Sequence, residues 1–197
     1  NTGHCYHWGN AMHYAQLAQA RAELTGPGGA FEIEVVDVLG QKLRNFKNAP
    51  PSIREFWLST QAFADRPYLV YGDETLTYAA AHAQAAAVAA WLFAQGVKPG
   101  DRIAVAMRNF PEWMLIYWGA VSVGITVVGM NAWWTTDEMT YALSDSAPKV
   151  LFLDEERLAR VKAKPEIAAG ITLVGVRLGA PQAGVIPFAD VIAHGGA

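Results

Sequence analysis

The stretch of residues 76–131 constrains the fold more than any other part of the chain. It predicts a long Ala-rich helix, a buried strand over residues 102–107, an apolar helix that begins near Pro111, and a second buried strand over residues 125–128. Glycine and proline residues mark the turns between these elements. Strand–helix–strand steps of this kind build a parallel sheet with helices on its faces. The sequence therefore predicts an α/β fold with a mainly parallel sheet flanked by helices.

The sequences on either side of this stretch predict further helices and strands. Before it lie a helix, a small β-hairpin, a helix capped by Ser52 and a second short hairpin, over residues 12–24, 31–46, 52–63 and 68–77. After it, Thr135 and Glu138 fit a capping box that opens a helix. A strand, a helix and a strand are then predicted over residues 149–153, 155–162 and 171–176. From residue 179 the sequence shows no recognisable pattern of a helix or a strand, and no regular element is predicted beyond that point.

Composition narrows the possible partners and the compartment. The chain has 197 residues and a formal net charge of −3, with a pI near 5.9. This balance gives no general attraction to nucleic acid or to an anionic membrane, so neither is an expected partner. Cys5 is the single cysteine. It excludes an internal disulfide framework and fits a reducing compartment, so a cytoplasmic location is expected.

Residues 113–136 carry no charge, and hydropathy alone would favour a membrane span there. Three features favour a buried core instead. Asn109 and Glu112 fit a capping box at the start of a helix, glycines interrupt the run, and residues 125–128 are β-branched as in many strands. We therefore predict no transmembrane span. A membrane-associated protein that uses this run is retained as an alternative.

Several residues invite a catalytic or metal-binding interpretation that their context does not favour. The glycine-rich segment of residues 26–29 has no Lys-Ser or Lys-Thr after it and precedes a hairpin, so it does not fit a phosphate-binding loop. His4, Cys5 and His7 crowd together, but the sequence has no second ligand pair at the spacing of zinc sites. The sequence therefore predicts no metal site and no catalytic residue among residues 1–197.

The order of several short motifs resembles that of the adenylate-forming synthetases, which include acyl-CoA synthetases, luciferases and the adenylation domains of peptide synthetases. The motifs are Leu76-Thr77-Tyr78 and residues 46–52, 96–105, 109–112, 119–131, 131–134 and 144–151. Each motif alone is weak, whereas their order and spacing together are specific. The nearest resemblance is to the bacterial AMP-forming ligases of medium- and long-chain fatty acids. It implies an amino-terminal helix and linker over residues 1–29, and an incomplete amino-terminal portion of an AMP-binding synthetase domain over residues 30–197.

The resemblance implies a two-step reaction in the parent protein. A carboxylate attacks the α-phosphorus of ATP to form an acyl-adenylate, and the thiol of CoA then displaces AMP. The partners implied are therefore a carboxylic acid, ATP, Mg²⁺ and CoA. The family's phosphate loop, metal carboxylate, ribose-binding Asp and catalytic Lys have no counterpart in residues 1–197, so the chain alone is expected to be inactive. Residues 131–134, Asn-Ala-Trp-Trp, favour a fatty-acid substrate.

Two loops are candidate ligand contacts, because ligands of open parallel sheets bind beyond the carboxyl ends of the strands. Arg108 and Asn109 follow a predicted strand at a helix N-terminus, which favours anions. The alternative is that they only cap the helix. Gly129, Met130 and Asn131 follow the next strand, and in related acyl-CoA synthetases this loop lies near the route taken by CoA. The alternative is a turn that needs glycine for its backbone geometry.

Other functions stay open on the sequence alone. One alternative is another adenylate-forming enzyme, which would activate an aryl acid or an amino acid. A second alternative is a non-catalytic module for binding or assembly. An unfinished domain would expose apolar surface, so a homo-oligomer is also possible. Trp133 and Trp134 are interpreted as packing residues rather than as a platform for stacking.

Overall fold

A computed structural model describes residues 11–196 of the chain. The described residues fall into two compact units, which divide between Pro51 and Ser52. The His4, Cys5 and His7 cluster considered from the sequence lies outside the described residues. The domain bounds expected from the sequence, at residues 29 and 30, stay a prediction.

The first unit contains the predicted helix and hairpin. Helix α1 spans Ala11–Thr25, and strands β1, Ile33–Val38, and β2, Gln41–Phe46, pair antiparallel. Leu39 and Gly40 connect the strands, and both have positive φ, 52° and 80°, as a tight two-residue turn requires. Tyr14, Leu17 and Leu24 of α1 are exposed.

The second unit alternates helices with strands. Its helices are α2 Ile53–Ser59, α3 Tyr78–Ala94, α4 Pro111–Val121, α5 Thr136–Ser146, α6 Glu155–Ala163 and α7 Phe188–Ala193. Its strands are β3 Pro67–Tyr71, β4 Glu74–Thr77, β5 Arg102–Ala106, β6 Thr126–Gly129, β7 Val150–Leu153, β8 Thr172–Gly175 and β9 Val185–Pro187. Short 3₁₀ turns lie at Thr60–Phe63, Pro165–Ala168 and His194–Gly196.

Strands β5 to β9 form a five-stranded sheet in the order β6-β5-β7-β8-β9, and every neighbouring pair is parallel. The predicted α/β fold with a parallel sheet flanked by helices is therefore confirmed. Strands β3 and β4 form a separate antiparallel hairpin, as predicted.

The two faces of the sheet bury two different hydrophobic clusters. Along β5, Ile103 and Val105 pack on one face with α3, α4 and α7, whereas Ala104 and Ala106 pack on the other face with α5 and α6. This split follows from the alternation of side chains along a strand. Strand β7 is buried over all four residues, as expected for a strand covered on both faces.

Helices α3 and α4 pack closely because small residues line their contact. An added Cβ at Gly119 would lie 2.6 Å from the carbonyl oxygen of Ala85 and 2.8 Å from the Cβ of Val88. Gly119 therefore permits backbone-to-backbone contact between the two helices. The alanines of α3 that face the core include Ala81 and Ala85, both essentially inaccessible to solvent.

Most predicted helix caps are confirmed. The side chains of Ser52 and Thr77 accept the N–H groups expected of N-caps, and Thr135 with Glu138 forms the complete capping box. Gly96 ends α3 with a φ of 76°, as the predicted left-handed position requires.

One predicted helix cap is wrong, and the structure has two elements where none was predicted. Asn109 and Glu112 do not form a capping box: Phe110 is the N-cap of α4, without a side-chain cap bond, and Glu112 binds Arg177 instead. Strand β9 and helix α7 lie where no element was predicted. Both are short, and neither carries enough residues to display a clear period.

Within residues 11–196, no helix is long and apolar enough to cross a membrane. The charge-free run of residues 113–136 divides into helix α4, strand β6 and the loop that follows.

Candidate functional site

The candidate site lies at the carboxyl ends of β5 and β7, where the chain direction diverges. These neighbouring parallel strands lead into helices on opposite faces of the sheet: α4 contributes Leu115 and Ile116 to the first cluster, and α6 contributes Leu158 and Val161 to the second. Such a switch point opens a crevice between the two loops, and ligands of open α/β sheets bind at crevices of this kind.

A buried carboxylate joins the two loops at this crevice. Asp154 follows β7, is 5% exposed, and accepts the backbone N–H of Arg108, which follows β5, at 3.0 Å. It also accepts the backbone N–H of Arg157 at 3.1 Å, as the N-cap of α6. One side chain therefore fixes the end of β5 and the start of α6 together.

A buried guanidinium holds the loop after β6 from the same point. Arg157 is 1% exposed, and its Nη1 atom lies 3.0 Å from Asp154 Oδ2. Its Nη2 atom donates to the carbonyl oxygen of Ala132. A buried charge must be paired and hydrogen-bonded, and Asp154 and Ala132 supply most of these partners. The three loops that follow β5, β6 and β7 thus meet in one hydrogen-bonded cluster.

Arg108 and Trp133 form an exposed pair on top of this cluster. The guanidinium carbon of Arg108 lies 4.6 Å from the centroid of the Trp133 ring, and Arg108 Nη2 lies 3.4 Å from Glu156 Oε2. Trp133 is 71% exposed, so its interpretation as a packing residue is wrong. Trp134 is partly buried against the second cluster, which confirms the packing interpretation for that residue.

The predicted loop of Gly129, Met130 and Asn131 lies at the same edge of the sheet. Met130 is buried, and its N–H donates to the carbonyl oxygen of Val105 at 2.9 Å. Asn131 Oδ1 accepts the N–H of Trp133 at 2.9 Å. Gly129 ends β6 without a positive φ, so the alternative of a turn that needs glycine there is wrong. The structure brings these residues and Arg108 to one edge, with Asn109 exposed beside them.

A second charged cluster lies farther along the same edge, beyond β8. The Nε atom of Arg177 lies 2.9 and 3.0 Å from the two carboxylate oxygens of Glu112, and its Nη atoms each donate to one oxygen of Glu74 at 2.7 Å. Its guanidinium carbon lies 5.1 Å from the centroid of the Tyr71 ring and 5.3 Å from that of Phe110. Arg177 therefore ties the β3–β4 hairpin and α4 to the end of β8.

In this second cluster the pKa values of Glu74 and Arg177 are shifted, and the backbone of Arg177 has an uncommon conformation. The hydrogen bonds from Arg177 hold the pKa of Glu74 below its ordinary value, and the bonds to Glu74 and Glu112 raise the pKa of Arg177. Arg177 also has a φ of 52°, in the left-handed region that residues other than glycine rarely adopt.

The described residues do not fit the metal and phosphate chemistry of nucleotide activation. Among residues 11–196, no group of three or more His, Cys, Asp or Glu side chains is arranged to hold a metal ion. Segment 26–29 leads into the β1–β2 hairpin rather than into a helix.

Sequence reasoning missed the charged side chains that organise this edge. Asp154 stands directly after the apolar run of β7 and three residues before Arg157, a pattern that fits an N-cap. That signal could have identified Asp154. No periodicity marks Arg157 as buried, because a charged residue on a helix is usually exposed. The pairing of Glu74, Glu112 and Arg177 joins distant parts of the chain and has no local signal.

The second unit matches a known family over most of its length. The model of a family described as AMP-binding enzyme matches residues 56–191. A 3-hydroxybenzoate–CoA ligase of Aromatoleum sp. (strain CIB) is 32% identical over 96 residues, which are 49% of this chain and 18% of that protein. A medium/long-chain fatty-acid–CoA ligase of Mycobacterium tuberculosis is 32% identical over 99 residues, 50% of this chain and 17% of that protein.

Solved structures share the fold. The crystal structure of an anthranilate–CoA ligase in complex with anthranoyl-AMP superposes with a TM-score of 0.67 and 23% identity. The match covers 71% of this chain and 27% of that structure. The chain thus spans less than a fifth of the length of the two curated relatives and about a quarter of the solved structure. The resemblance predicted from the sequence motifs is confirmed.

Proposed function

The chain belongs to the AMP-binding enzyme family, and we propose that it forms the amino-terminal part of an ATP-dependent acid–CoA ligase. The observation that carries this proposal is the family match over residues 56–191, the part of the chain that folds into the parallel sheet and its helices. The CoA ligases among its relatives support the same reaction class.

The proposed reaction has two steps. A carboxylate oxygen attacks the α-phosphorus of ATP, which forms the acyl-adenylate and releases pyrophosphate. The sulfur of CoA then attacks the acyl carbon, which forms the thioester and releases AMP. We propose that ATP, Mg²⁺ and CoA are the cofactors of the whole protein, and that its ATP and Mg²⁺ sites lie mainly outside the described residues.

We propose that the edge of the sheet described above contributes to CoA binding. Gly129, Met130 and Asn131 are proposed to line the route of CoA, with Arg108 and Asn109 beside them. Arg108 supplies a positive charge, about half exposed, that suits the phosphates of CoA. The shared position of these residues at the carboxyl ends of β5 and β6 supports the proposal.

The acid substrate is proposed to be a medium- or long-chain fatty acid. The fatty-acid–CoA ligase among the relatives supports this choice, and residues 131–134 led to it from the sequence. An aryl acid is the second candidate, because a 3-hydroxybenzoate–CoA ligase is equally similar to the chain. Activation of an amino acid and a non-catalytic role in binding or assembly are further alternatives.

Acid-dependent exchange of pyrophosphate into ATP tests the reaction class on the whole protein. We expect exchange with octanoate or palmitate and little with benzoate. Stronger exchange with benzoate would support the aryl-acid alternative, and exchange without CoA-thioester formation would indicate a different acceptor. No exchange with any carboxylate would contradict the proposed activity.

The chain on its own is proposed to lack activity. Among residues 11–196 no group of three or more His, Cys, Asp or Glu side chains could hold a metal ion, and the sequence of residues 26–29 does not fit a phosphate-binding loop. Titration of the chain with ATP and with CoA tests whether the chain lacks a phosphate-binding site. Saturable binding of ATP at micromolar concentration would contradict the proposed absence of that site. A cytoplasmic location is also proposed, and fractionation would test it. The oligomeric state stays open, and sedimentation of the whole protein would determine it.

A further inference from the structure

Glu156 is shared by three arginines at the carboxyl edge of the sheet. One of its carboxylate oxygens, Oε2, lies 3.0 Å from Nη1 of Arg157 and 3.4 Å from Nη2 of Arg108. The other, Oε1, lies 2.8 Å from Nη2 of Arg160. Arg108 follows β5, whereas Arg157 and Arg160 belong to α6. A single anionic group therefore lies within reach of three guanidinium groups from two parts of the chain.

This cluster carries more positive charge than its carboxylates neutralise. Its three arginines pair with two carboxylates, those of Asp154 and Glu156, which leaves one positive charge in excess. Asp154 accepts both the backbone N–H and the Nη1 group of Arg157. Glu156 is therefore the carboxylate that serves the two arginines at the surface. A group with more negative charge than a carboxylate would match these arginines better.

The carboxylate of Glu156 is also the most easily displaced member of the cluster. Its side chain is 46% exposed, and those of Arg108 and Arg160 are 48% and 24% exposed. Ion pairs between exposed side chains contribute little stability. The side chain of Arg157 is 1% exposed and keeps Asp154 as its partner. Glu156 can therefore turn toward solvent while the buried pair stays intact.

A terminal phosphate group suits the position of the Glu156 carboxylate. Such a group carries about two negative charges and has three free oxygens, and a guanidinium can bind two of these oxygens at once. Arg108 also contacts an exposed aromatic ring, because its guanidinium carbon lies 4.6 Å from the centroid of Trp133. Exposed aromatic rings stack on nucleotide bases. The arrangement thus favours a nucleotide that carries a terminal phosphate.

We propose that the 3′-phosphate of CoA binds Arg108 and Arg160, and that it displaces the carboxylate of Glu156 from them. This inference rests on the proposed acid–CoA ligase function, and it assigns one group of CoA to two arginines. Glu156 then competes with CoA and lowers its affinity. Dephospho-CoA has a hydroxyl group in place of the 3′-phosphate, so it does not displace Glu156.

Calorimetric titration of the whole protein with CoA and with dephospho-CoA tests the competition. We expect Glu156→Gln to bind CoA about fivefold more tightly than wild type, because the phosphate no longer competes with a carboxylate for Arg108 and Arg160. Its affinity for dephospho-CoA should stay within about twofold of the wild type. Glu155→Gln is the matched control, since it removes the same charge from the adjacent position, and Glu155 takes no part in the ion pairs of this cluster.

Replacement of Arg160 tests the phosphate contact in the opposite direction. Arg160→Gln should weaken CoA binding about tenfold, as expected for loss of a charged hydrogen bond, and should change dephospho-CoA binding much less. Lys162→Gln is the control, because it removes a positive charge from the same helix, and the Lys162 side chain donates to Gln182. Retained binding of dephospho-CoA shows that each variant is folded.

The outcomes separate this inference from the proposed function. Equal affinities of Glu156→Gln for CoA and dephospho-CoA, or equal effects of Glu156→Gln and Glu155→Gln on CoA binding, would overturn the assignment of the 3′-phosphate. Acid-dependent pyrophosphate exchange does not require CoA, so the adenylation step would stand in that case. Absence of both CoA binding and pyrophosphate exchange would contradict the inference and the proposed function together.

Discussion

The carboxylate of Asp154 accepts the backbone N–H of Arg108 at 3.0 Å, so a residue that follows β7 fixes the residue that follows β5. The same carboxylate pairs with the buried guanidinium of Arg157. The geometry of the crevice between the two strands therefore depends on one buried ion pair.

Replacement of Asp154 by Ala should destabilise the second unit strongly. It leaves the Arg157 charge buried without its main partner, and loss of one member of a buried pair costs about 3–5 kcal/mol. Urea unfolding followed by tryptophan fluorescence measures the change. Asp101→Ala, which removes the exposed pair with Lys149, is the control and should cost less. Equal losses would show that burial of Arg157 does not set the effect.

Gly119→Ala should destabilise the contact between α3 and α4. The new Cβ would meet the Ala85 carbonyl at 2.6 Å, and overpacking of this kind costs about 1–3 kcal/mol. The better helix propensity of Ala offsets this by at most about 1 kcal/mol. Gly129→Ala is the control, because its Cβ would meet Trp113 at an ordinary 3.4 Å. Thermal unfolding should show a lower midpoint only for Gly119→Ala.

Protonation of the Glu74 carboxylate in acid should destabilise the β3–β4 hairpin. Arg177 lowers the pKa of this carboxylate below its ordinary value of 4.5, so the unfolded state binds its proton first as the pH falls. The contribution is fully present above pH 4.5 and is lost as the pH passes below the folded-state pKa. Glu112 also pairs with Arg177, and this ion pair remains when Glu74 is replaced by Gln.

Hydrogen–deuterium exchange of residues 69–75 in wild type and Glu74→Gln measures this dependence. The two proteins should differ near neutral pH and converge in acid. A difference that persists at pH 3 or below would contradict the assignment to Glu74.

His82 should make the free energy of unfolding depend on pH in a range above that in which Glu74 takes up its proton. Its ring stacks on Trp57 at 3.8 Å between centroids, and Nε2 lies 2.9 Å from Thr60 Oγ1. Burial lowers its pKa from 6.5, so the unfolded state takes up the proton first, and stability falls as the pH drops below 6.5. Arg54 and His82 line one surface cavity, and the guanidinium of Arg54 donates to the carbonyl oxygen of Ser122.

Urea unfolding between pH 7.5 and pH 5 compares wild type with His82→Gln. The wild type should lose stability over this range, while the variant should lose less. Parallel curves would show that another group sets the dependence.

The parallel sheet was predictable because each of its central strands is a short apolar run bounded by turn residues. Residues 102–107 and 149–153 needed no tertiary information to be identified as strands. Capping by Thr77 and Thr135 was predictable for a similar reason, since a cap depends on residues only three positions apart.

The organisation of the candidate site was less predictable because its charged contacts join distant segments. Glu112 has the spacing of a capping residue, but in the fold Arg177 lies within reach and takes its carboxylate. A hydrogen bond between a guanidinium and a carboxylate is stronger than one between neutral groups, which explains the incorrect capping prediction. The chemistry of Arg108, Asn109 and residues 129–131 stays a prediction.

Arg157 holds the loop after β6 through a carbonyl oxygen of the main chain, at Ala132, and not through any side chain of that loop. Every amino acid offers the same carbonyl. Related proteins can therefore exchange the exposed side chain of Trp133, and with it the chemistry displayed at this rim, without loss of the Arg157 bond that holds the loop.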